Sequence, residues 1–231
     1  MRTVVYVDGY NLYYGRITGT AYKWLDLPRL FEAILHAQDP SSVLTHLKYF
    51  TAPAVANFSR RGQESTDAQT TYHRALESAN PDSFTKVLGK HSFSKTHLPK
   101  AHEGVKHPNK DDTVFVWKIV EKKTDVNLAM AMYRDSAKGD VDQLVICSND
   151  SDAEPVLEAI REDFPKLRIG VVTPRRPPGE SDRVVSTSLA QYADWTRGHI
   201  TDDELSRAQL PSNVVSPKGK IFKKPPHWQT P

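Results

Sequence analysis

The segment Val4-Val5-Tyr6-Val7-Asp8-Gly9 is a short β-branched and aromatic run that ends in an aspartate and a glycine. A run of this kind is typical of a buried strand in a parallel sheet that meets a loop at its carboxyl end. A second apolar run, Leu144-Val145-Ile146-Cys147, leads directly into Ser148-Asn149-Asp150-Ser151-Asp152. We therefore predict two central strands, Thr3 to Val7 and Gln143 to Cys147, that are both followed by acidic residues.

Strands and helices are predicted to alternate along the rest of the chain. Apolar residues at helical spacing indicate helices, and short apolar runs between them indicate strands. The further predicted strands are 44–51, 83–88, 113–120 and 167–172, and the predicted helices are 27–37, 63–78, one that begins at Asp125, 155–164, 189–195 and 202–208. On the helix that begins at Asp125, the predicted core side consists of Val126, Ala129, Met130 and Tyr133. Repeated units of this length imply an α/β fold with a mostly parallel sheet and helices on both faces.

Two segments lack a clear place in this sheet. Residues 89–112 are rich in Lys, His, Pro and Gly, so we predict a long exposed loop that orders on substrate. The tail after Leu210 is rich in proline and is predicted to be extended, without a core of its own. We accordingly divide the chain into a domain of residues 1–196, with the basic loop 89–112 inserted, and a C-terminal helix with a basic, Pro-rich tail, residues 197–231.

Basic residues are concentrated in two segments of a chain whose formal net charge is only +3. Residues 86–110 hold six lysines against one glutamate, and residues 216–231 hold four lysines and no acidic residue. Such segments favour a polyanionic partner, although lysine-rich loops are also ordinary solubilising surface.

We expect neither a signal peptide nor a membrane span in the N-terminal segment, because the apolar run before Asp8 is only a few residues long. The single cysteine, Cys147, lies in an apolar run and excludes an internal disulfide. We therefore expect a cytoplasmic protein with no membrane association. The sequence does not indicate an oligomeric state, and a homo-oligomer stays open.

Acidic residues follow both central strands: Asp8 follows the first, and Asp150 and Asp152 follow the other. Because the carboxyl ends of neighbouring parallel strands meet at one edge, these side chains should share a crevice, which Asp125 could also reach. Closely packed carboxylates repel unless a cation joins them, and oxygen ligands favour Mg²⁺ or Mn²⁺ over zinc. Such a cluster can activate water for attack on a phosphodiester bond. Asn11 adds an amide that could orient water or a phosphate oxygen.

Each acidic residue also has a structural explanation. An aspartate between a strand and a turn often caps the turn, which would account for Asp8. Asp152 could be the N-cap of a helix with Pro155 in its first turn, and Asp125 could cap its own helix. Capping explains each residue singly but not why both central strands deliver acidic residues to one edge, so the predicted site rests on the combination.

At these residues the sequence resembles the NYN domain family, the LabA-like branch of the PIN-like nucleases. The matching segments are Val7-Asp8-Gly9-Tyr10-Asn11-Leu12, Glu121-Lys122-Lys123-Thr124-Asp125-Val126-Asn127-Leu128-Ala129 and Ser148-Asn149-Asp150-Ser151-Asp152-Ala153-Glu154-Pro155. Their order and approximate spacing match as well. The similarity spans residues 2–195, and residues 199–211 look like the segment that often follows this domain.

The resemblance implies a PIN-like, Rossmann-like fold and a ribonuclease activity. It implies a Mg²⁺ or Mn²⁺ site carried by Asp8, Asp125, Asp150 and Asp152, with Asn11 as a further catalytic residue. Asn149 stands where a glycine is common and Ala153 where a large apolar residue is common, so the shape of this loop is open. We predict that the substrate is single-stranded RNA and that its contacts are Tyr10, Tyr13, Lys123, Ser148, Lys218, Lys220, Lys223 and Lys224.

Two other functions remain open. A non-catalytic RNA-binding or regulatory module would keep the same scaffold and bind RNA without cleaving it. A phosphohydrolase that acts on small phosphate esters also uses clustered aspartates. An aspartyl-phosphate enzyme, however, needs a second aspartate two residues after the first, and that position here is Tyr10.

Overall fold

The computed structural model describes residues 1–180 and 186–228. The strands of these residues are β1 (Arg2–Asp8), β2 (Val43–Thr51), β3 (Phe84–Leu88), β4 (Lys90–Pro99), β5 (Thr113–Lys122), β6 (Gln143–Cys147), β7 (Arg168–Val172), β8 (Trp195–Arg197), β9 (Asn213–Val215) and β10 (Ile221–Lys223). Six of them form a central sheet in the order β3-β2-β1-β6-β7-β8. All neighbouring strands of this sheet are parallel.

Helices cover both faces of the sheet. They are α1 (Gly9–Leu12), α2 (Leu27–Gln38), α3 (Gln63–Ala79), α4 (Thr124–Lys138), α5 (Glu154–Asp163), α6 (Thr187–Ala190) and α7 (Asp202–Arg207). Alternate residues of β1 enter separate hydrophobic clusters, Val5 with Phe31 of α2 and Tyr6 with Leu128 of α4. The predicted α/β fold class is therefore confirmed. Within the described residues, no helix is long and apolar enough to cross a membrane.

The position of β1 fixes the position of the site. β1 lies between β2 and β6, and strand order reverses at this point, with β2 and β3 on one side and β6 to β8 on the other. The register pairs Val7 with Cys147. Asp8 and Ser148 therefore follow paired residues of adjacent strands, at the edge where open α/β sheets form a crevice.

Residues 89–112 are not the long loop that their composition predicts. β4 and β5 pair as an antiparallel hairpin outside the central sheet, from Lys90 opposite Lys122 to Pro99 opposite Thr113, and only residues 100–112 form a loop. The sequence concealed β4 because polar Lys, His and Ser residues dilute its two-residue period. The base of this hairpin reaches the central crevice.

The prediction for the core side of α4 is right for Ala129 and Tyr133, which pack against a core cluster, but wrong for Val126 and Met130. Val126 and Met130 are 66% and 45% exposed, whereas Leu128 is buried. The buried side of α4 continues to Asp135, which accepts a 2.7 Å hydrogen bond from the Tyr6 hydroxyl. Because part of the core-facing side is polar, a search for apolar residues at helical spacing selected a side that is only partly buried.

The C-terminal part packs on the rest of the chain more closely than its composition predicts. The predicted helix 189–195 is instead α6 followed by β8, which places Trp195 in a strand beside β7. β9 and β10 form a hairpin against α3, and they bury Val214 and Phe222 in the core cluster that also contacts Trp228. The tail therefore joins the main core rather than building its own, and the prediction that it is extended is wrong, since the prolines flank these short strands rather than interrupt them.

Candidate active site

An open cleft of about 350 Å³ lies at the carboxyl ends of β1 and β6. The residues that line it are Asp8, Tyr10, Asn11, His91, Ile119, Glu121, Asp125 and Asp150. Half of these residues are acidic, and we call this feature the acidic cleft. It brings together three of the four aspartates that the sequence predicts for the site.

Asp8 ends β1 and is buried in the acidic cleft. Its Oδ1 accepts the backbone N–H of Asn11 at 3.0 Å, and its Oδ2 accepts Asn11 Nδ2 at 2.6 Å and Ser148 Oγ at 3.0 Å. Gly9 permits this tight start of α1, because a Cβ at that position would collide with the backbone of β2. Burial raises the pKa of Asp8 and the charge of Asp150 adds to this, whereas the three hydrogen bonds lower it.

Asp150 follows β6 and is tied to Asp8 through one hydroxyl group. Its backbone N–H donates to Ser148 Oγ at 3.1 Å, and that oxygen donates to Asp8. Its Oδ1 accepts the backbone N–H of Asp152 at 3.1 Å, so Asp150, rather than Asp152, caps the turn before α5. Asp152 is exposed and does not line the cleft as far as the described residues define it.

Asp125 lies in the first turn of α4 and lines the acidic cleft. It does not cap this helix, because Lys123 occupies the N-cap position with a φ of 80°. Burial, followed by the charges of the neighbouring carboxylates, raises the pKa of Asp125 to about 6. The carboxylates that contribute are Asp8, Glu121, Asp150 and Asp152. The part of this rise that the neighbouring charges cause is consistent with the repulsion that the sequence predicts.

Two residues at the base of the β4–β5 hairpin complete the cleft, and the sequence analysis gave them no role. His91 and Glu121 are paired across the hairpin. Glu121 Oε1 accepts a hydrogen bond from the Thr124 hydroxyl, and His91 Nε2 lies 3.0 Å from the Tyr10 hydroxyl. The signal for Glu121 was its place in the motif that contains Asp125. His91 could be found only from the register of the hairpin.

The donor set of the acidic cleft fits a hard dication by its chemistry. In residues 1–180 and 186–228, no three His, Cys, Asp or Glu side chains are grouped closely enough to hold a metal ion as they stand. Carboxylate oxygens nevertheless dominate the donors, and four acidic side chains share one small volume. The Asp125 side chain as a whole is exposed, although its carboxylate is partly desolvated, and it lines the same cleft as the buried Asp8.

A larger groove adjoins the acidic cleft and shares Tyr10, His91 and Ile119 with it. Its volume is about 1160 Å³, and among the described residues no aspartate or glutamate lines it. Its aromatic lining residues are Tyr10, Tyr13, Tyr14, Tyr49, Phe58, Tyr72 and Trp228, and its lysine and arginine residues are Lys23, Arg60 and Arg61. We call it the aromatic groove.

The predicted substrate contacts do not all lie at these two cavities. Tyr10 lines both cavities and Tyr13 lines the groove. Ser148 is buried, and its hydroxyl is engaged by Asp8 and the backbone of Asp150, so it orients those residues. Lys123 is exposed and lines neither cavity. The lysines of the tail also line neither cavity, and these are Lys218, Lys220, Lys223 and Lys224.

The sequence profile of the NYN domain family matches residues 2–189. The chain belongs to the NYN domain family. This match includes every residue of the acidic cleft and confirms the resemblance that the three motifs indicated. This NYN domain protein therefore has the PIN-like fold of a nuclease family.

The same NYN domain protein is similar to an enzyme named for a different activity. It is 36% identical over 242 residues to 6-hydroxy-3-succinoylpyridine 3-monooxygenase HspA of Pseudomonas putida. The aligned region covers 99% of this chain and 75% of that protein. A solved structure of a protein of unknown function from Vibrio parahaemolyticus is similar at 18% identity and a TM-score of 0.47, over 87% of this chain and 94% of that one. The structural likeness is too low to support an argument.

Proposed function

We propose that this protein is a metal-dependent ribonuclease that hydrolyses phosphodiester bonds of single-stranded RNA at the acidic cleft. The observation that carries the proposal is the convergence of Asp8, Asp125 and Asp150, from three distant parts of the chain, on one cleft. The nuclease-type fold of the family supports the reaction class. Carboxylates at the switch point of a parallel sheet can hold a hard dication beside a phosphodiester group.

Mg²⁺ or Mn²⁺ would be held by Asp8, Asp125 and Asp150, with Asp152 in support. When bound, such an ion supplies Lewis acidity and neutralises charge that develops on the phosphodiester oxygens. The contribution of the neighbouring carboxylates to the raised pKa of Asp125 supports this assignment, because carboxylates that repel one another gain most from a shared cation.

The neutral residues around Asp8 hold its carboxylate in one orientation. Asn11 donates to both carboxylate oxygens, and Ser148 donates to one of them. These hydrogen bonds favour the charged form of Asp8 and oppose the effect of burial, so they keep Asp8 available as a negatively charged ligand. Asn11 and Ser148 are therefore positioning residues in this proposal.

The test is cleavage of an end-labelled single-stranded RNA by the purified protein in the presence of Mn²⁺ or Mg²⁺. We expect products that disappear when EDTA is added. Asp150→Asn should lower the rate by at least about 100-fold, because it removes charge that stabilises the metal and the transition state. Asp8→Asn should do the same, and circular dichroism would check that both variants fold.

Asp111→Asn is the matched control, since Asp111 is an exposed aspartate in the loop 100–112 and lines neither cavity. It should cleave RNA as the wild type does. Cleavage that survives EDTA or Asp150→Asn would mean a contaminating nuclease or another site. RNA binding without products in either metal would favour the non-catalytic module.

The similarity to the Pseudomonas putida enzyme supports a second candidate function, the conversion of a small aromatic acid. The identity extends over nearly all of this chain, and the aromatic groove offers rings and cations that suit an aromatic carboxylate. We rank it second because binding of an anionic substrate gives no reason for four acidic residues in one cleft. Loss of 6-hydroxy-3-succinoylpyridine in the presence of O₂ and an added reductant, without RNA cleavage, would reverse this ranking.

A further inference from the structure

We infer that the aromatic groove binds single-stranded RNA beside the acidic cleft, with bases stacked on exposed rings of the groove and the backbone held by Lys23, Arg60 and Arg61. This inference rests on the proposed function and names the place where its substrate lies. The expected phosphate contacts are now these three residues of the groove and no longer the C-terminal lysines, because the C-terminal lysines line neither cavity.

The charge of the groove suits a polyanion. Lys23, Arg60 and Arg61 line it, and within the described residues it has no acidic lining residue. Arg60 and Arg61 are exposed, and Arg61 contacts Glu64 only at 3.7 Å, in a pair in which both side chains are more than half exposed. An exposed pair of this kind is weak, so both guanidinium groups are available to phosphate oxygens.

The rings of the groove suit stacked bases. Tyr14 and Phe58 are 57% and 54% exposed although both line the groove. The ring of Tyr14 lies parallel to that of Tyr10, with centroids 6.0 Å apart, and Phe58 stacks on Phe93 of β4 at 5.9 Å. These neighbours hold both exposed rings in place. Aromatic side chains held beside cations are the usual platform for single-stranded nucleic acids.

The size and position of the groove favour a polymer over a small aromatic acid. Its volume of about 1160 Å³ exceeds the ~300–1,000 Å³ of typical small-molecule pockets. Its wall at Tyr10, His91 and Ile119 is also a wall of the acidic cleft, so a chain bound in the groove can continue to the carboxylates. A small aromatic acid bound in the groove would fill only part of it. Either the remaining length of the groove or its junction with the acidic cleft would then be unoccupied.

The experiment measures fluorescence anisotropy of a fluorescein-labelled 12-nucleotide single-stranded RNA in EDTA, at several salt concentrations. We expect Arg60→Ala/Arg61→Ala to weaken binding at least tenfold at low salt. Each phosphate contact on a single strand contributes about 0.7 to the slope of log K against log salt, so the slope should fall in magnitude by about 1.4.

Tyr14→Ala/Phe58→Ala separates stacking from charge. It should weaken binding about tenfold or more, because each stacked base is worth about 1–3 kcal/mol, and it should leave the salt slope unchanged. Both side chains are exposed, so thermal melts of the variants should match that of the wild type.

Lys218→Ala/Lys223→Ala is the matched control, because it removes two exposed cations outside the groove. It should bind RNA with the affinity and slope of the wild type. The inference is overturned if the groove variants bind RNA as the wild type does, or if the tail variant alone loses affinity. Saturable binding of 6-hydroxy-3-succinoylpyridine by a wild type that does not bind RNA would overturn it as well.

Failure of this inference is distinguishable from failure of the proposed function, because binding is measured without metal. RNA bound in the groove but never cleaved in Mn²⁺ or Mg²⁺ would reject only the nuclease. RNA cleaved at the acidic cleft, with unchanged binding in the groove variants, would reject only the groove as its place of binding.

Discussion

Two aspartates of the cleft both cap a turn and line the candidate active site. Asp8 caps α1, as its structural explanation requires, and Asp150 caps the turn before α5, where the sequence analysis expected Asp152. Both nevertheless line the cleft, and Ser148 connects them. Capping therefore does not compete with a metal site here, because hydrogen bonds that cap a turn also fix the direction of a carboxylate. For Asp125, the capping explanation is wrong.

The pKa of Asp125 leads to a prediction about stability without metal. Its folded-state pKa of about 6 lies above its ordinary value of 3.8, so its contribution to the free energy of unfolding is lost as pH rises through 6. Asp125→Asn should therefore melt higher than the wild type at pH 7.5 in EDTA, and the difference should vanish near pH 4. The expected difference is small, about 1 °C, because solvent screens this exposed side chain.

Two comparisons test the cause of that difference. Asp111→Asn removes an exposed aspartate outside the cleft and should not change the melting temperature. Added Mn²⁺ should raise the melting temperature of the wild type more than that of Asp125→Asn, because an ion that binds the folded state stabilises it. A wild type more stable than Asp125→Asn at pH 7.5 in EDTA would contradict the raised pKa of Asp125 in the folded protein.

At the level of elements, the C-terminal hairpin β9–β10 belongs to the core. Phe222 is only 8% exposed and lies in the cluster packed between the sheet and its helices, whereas the neighbouring Ile221 is 54% exposed. Phe222→Ala should lower the free energy of unfolding by about 3 kcal/mol, through lost burial and the cavity it leaves. Urea unfolding would measure this change.

Ile221→Ala is the control on the same strand and should change stability by less than about 0.5 kcal/mol. Equal, small effects of the two substitutions would mean that the hairpin does not share the core. Circular dichroism would establish that both variants start from the same folded state.

The sequence predicted those strands whose apolar residues form a continuous run. β1 and β6 are continuous apolar runs because the parallel sheet buries both of their faces, and both predictions are confirmed. β4 is exposed along most of its length, so no continuous apolar run marked it. The strands β9 and β10 have three residues each, which is too short for a period to show among prolines.

For the molecule as a whole, the fold and the acidic part of the site follow from the sequence, but the groove does not. Acidic residues directly after central strands can be assigned to one edge, because strand direction fixes where they meet. The aromatic groove is assembled from segments as distant as Tyr14, Phe58 and Trp228. No local pattern connects such segments, so only the packed structure could show which cations lie beside the cleft.

The proposed reaction requires that carboxylates from distant parts of the chain share a hard dication in the acidic cleft. The most direct measurement is anomalous difference density in crystals of the protein grown with Mn²⁺. We predict a peak bounded by Asp8, Asp125 and Asp150, which disappears in crystals of Asp150→Asn. Crystals that show no peak in the cleft, while the three carboxylates stay apart at neutral pH, would contradict the claim.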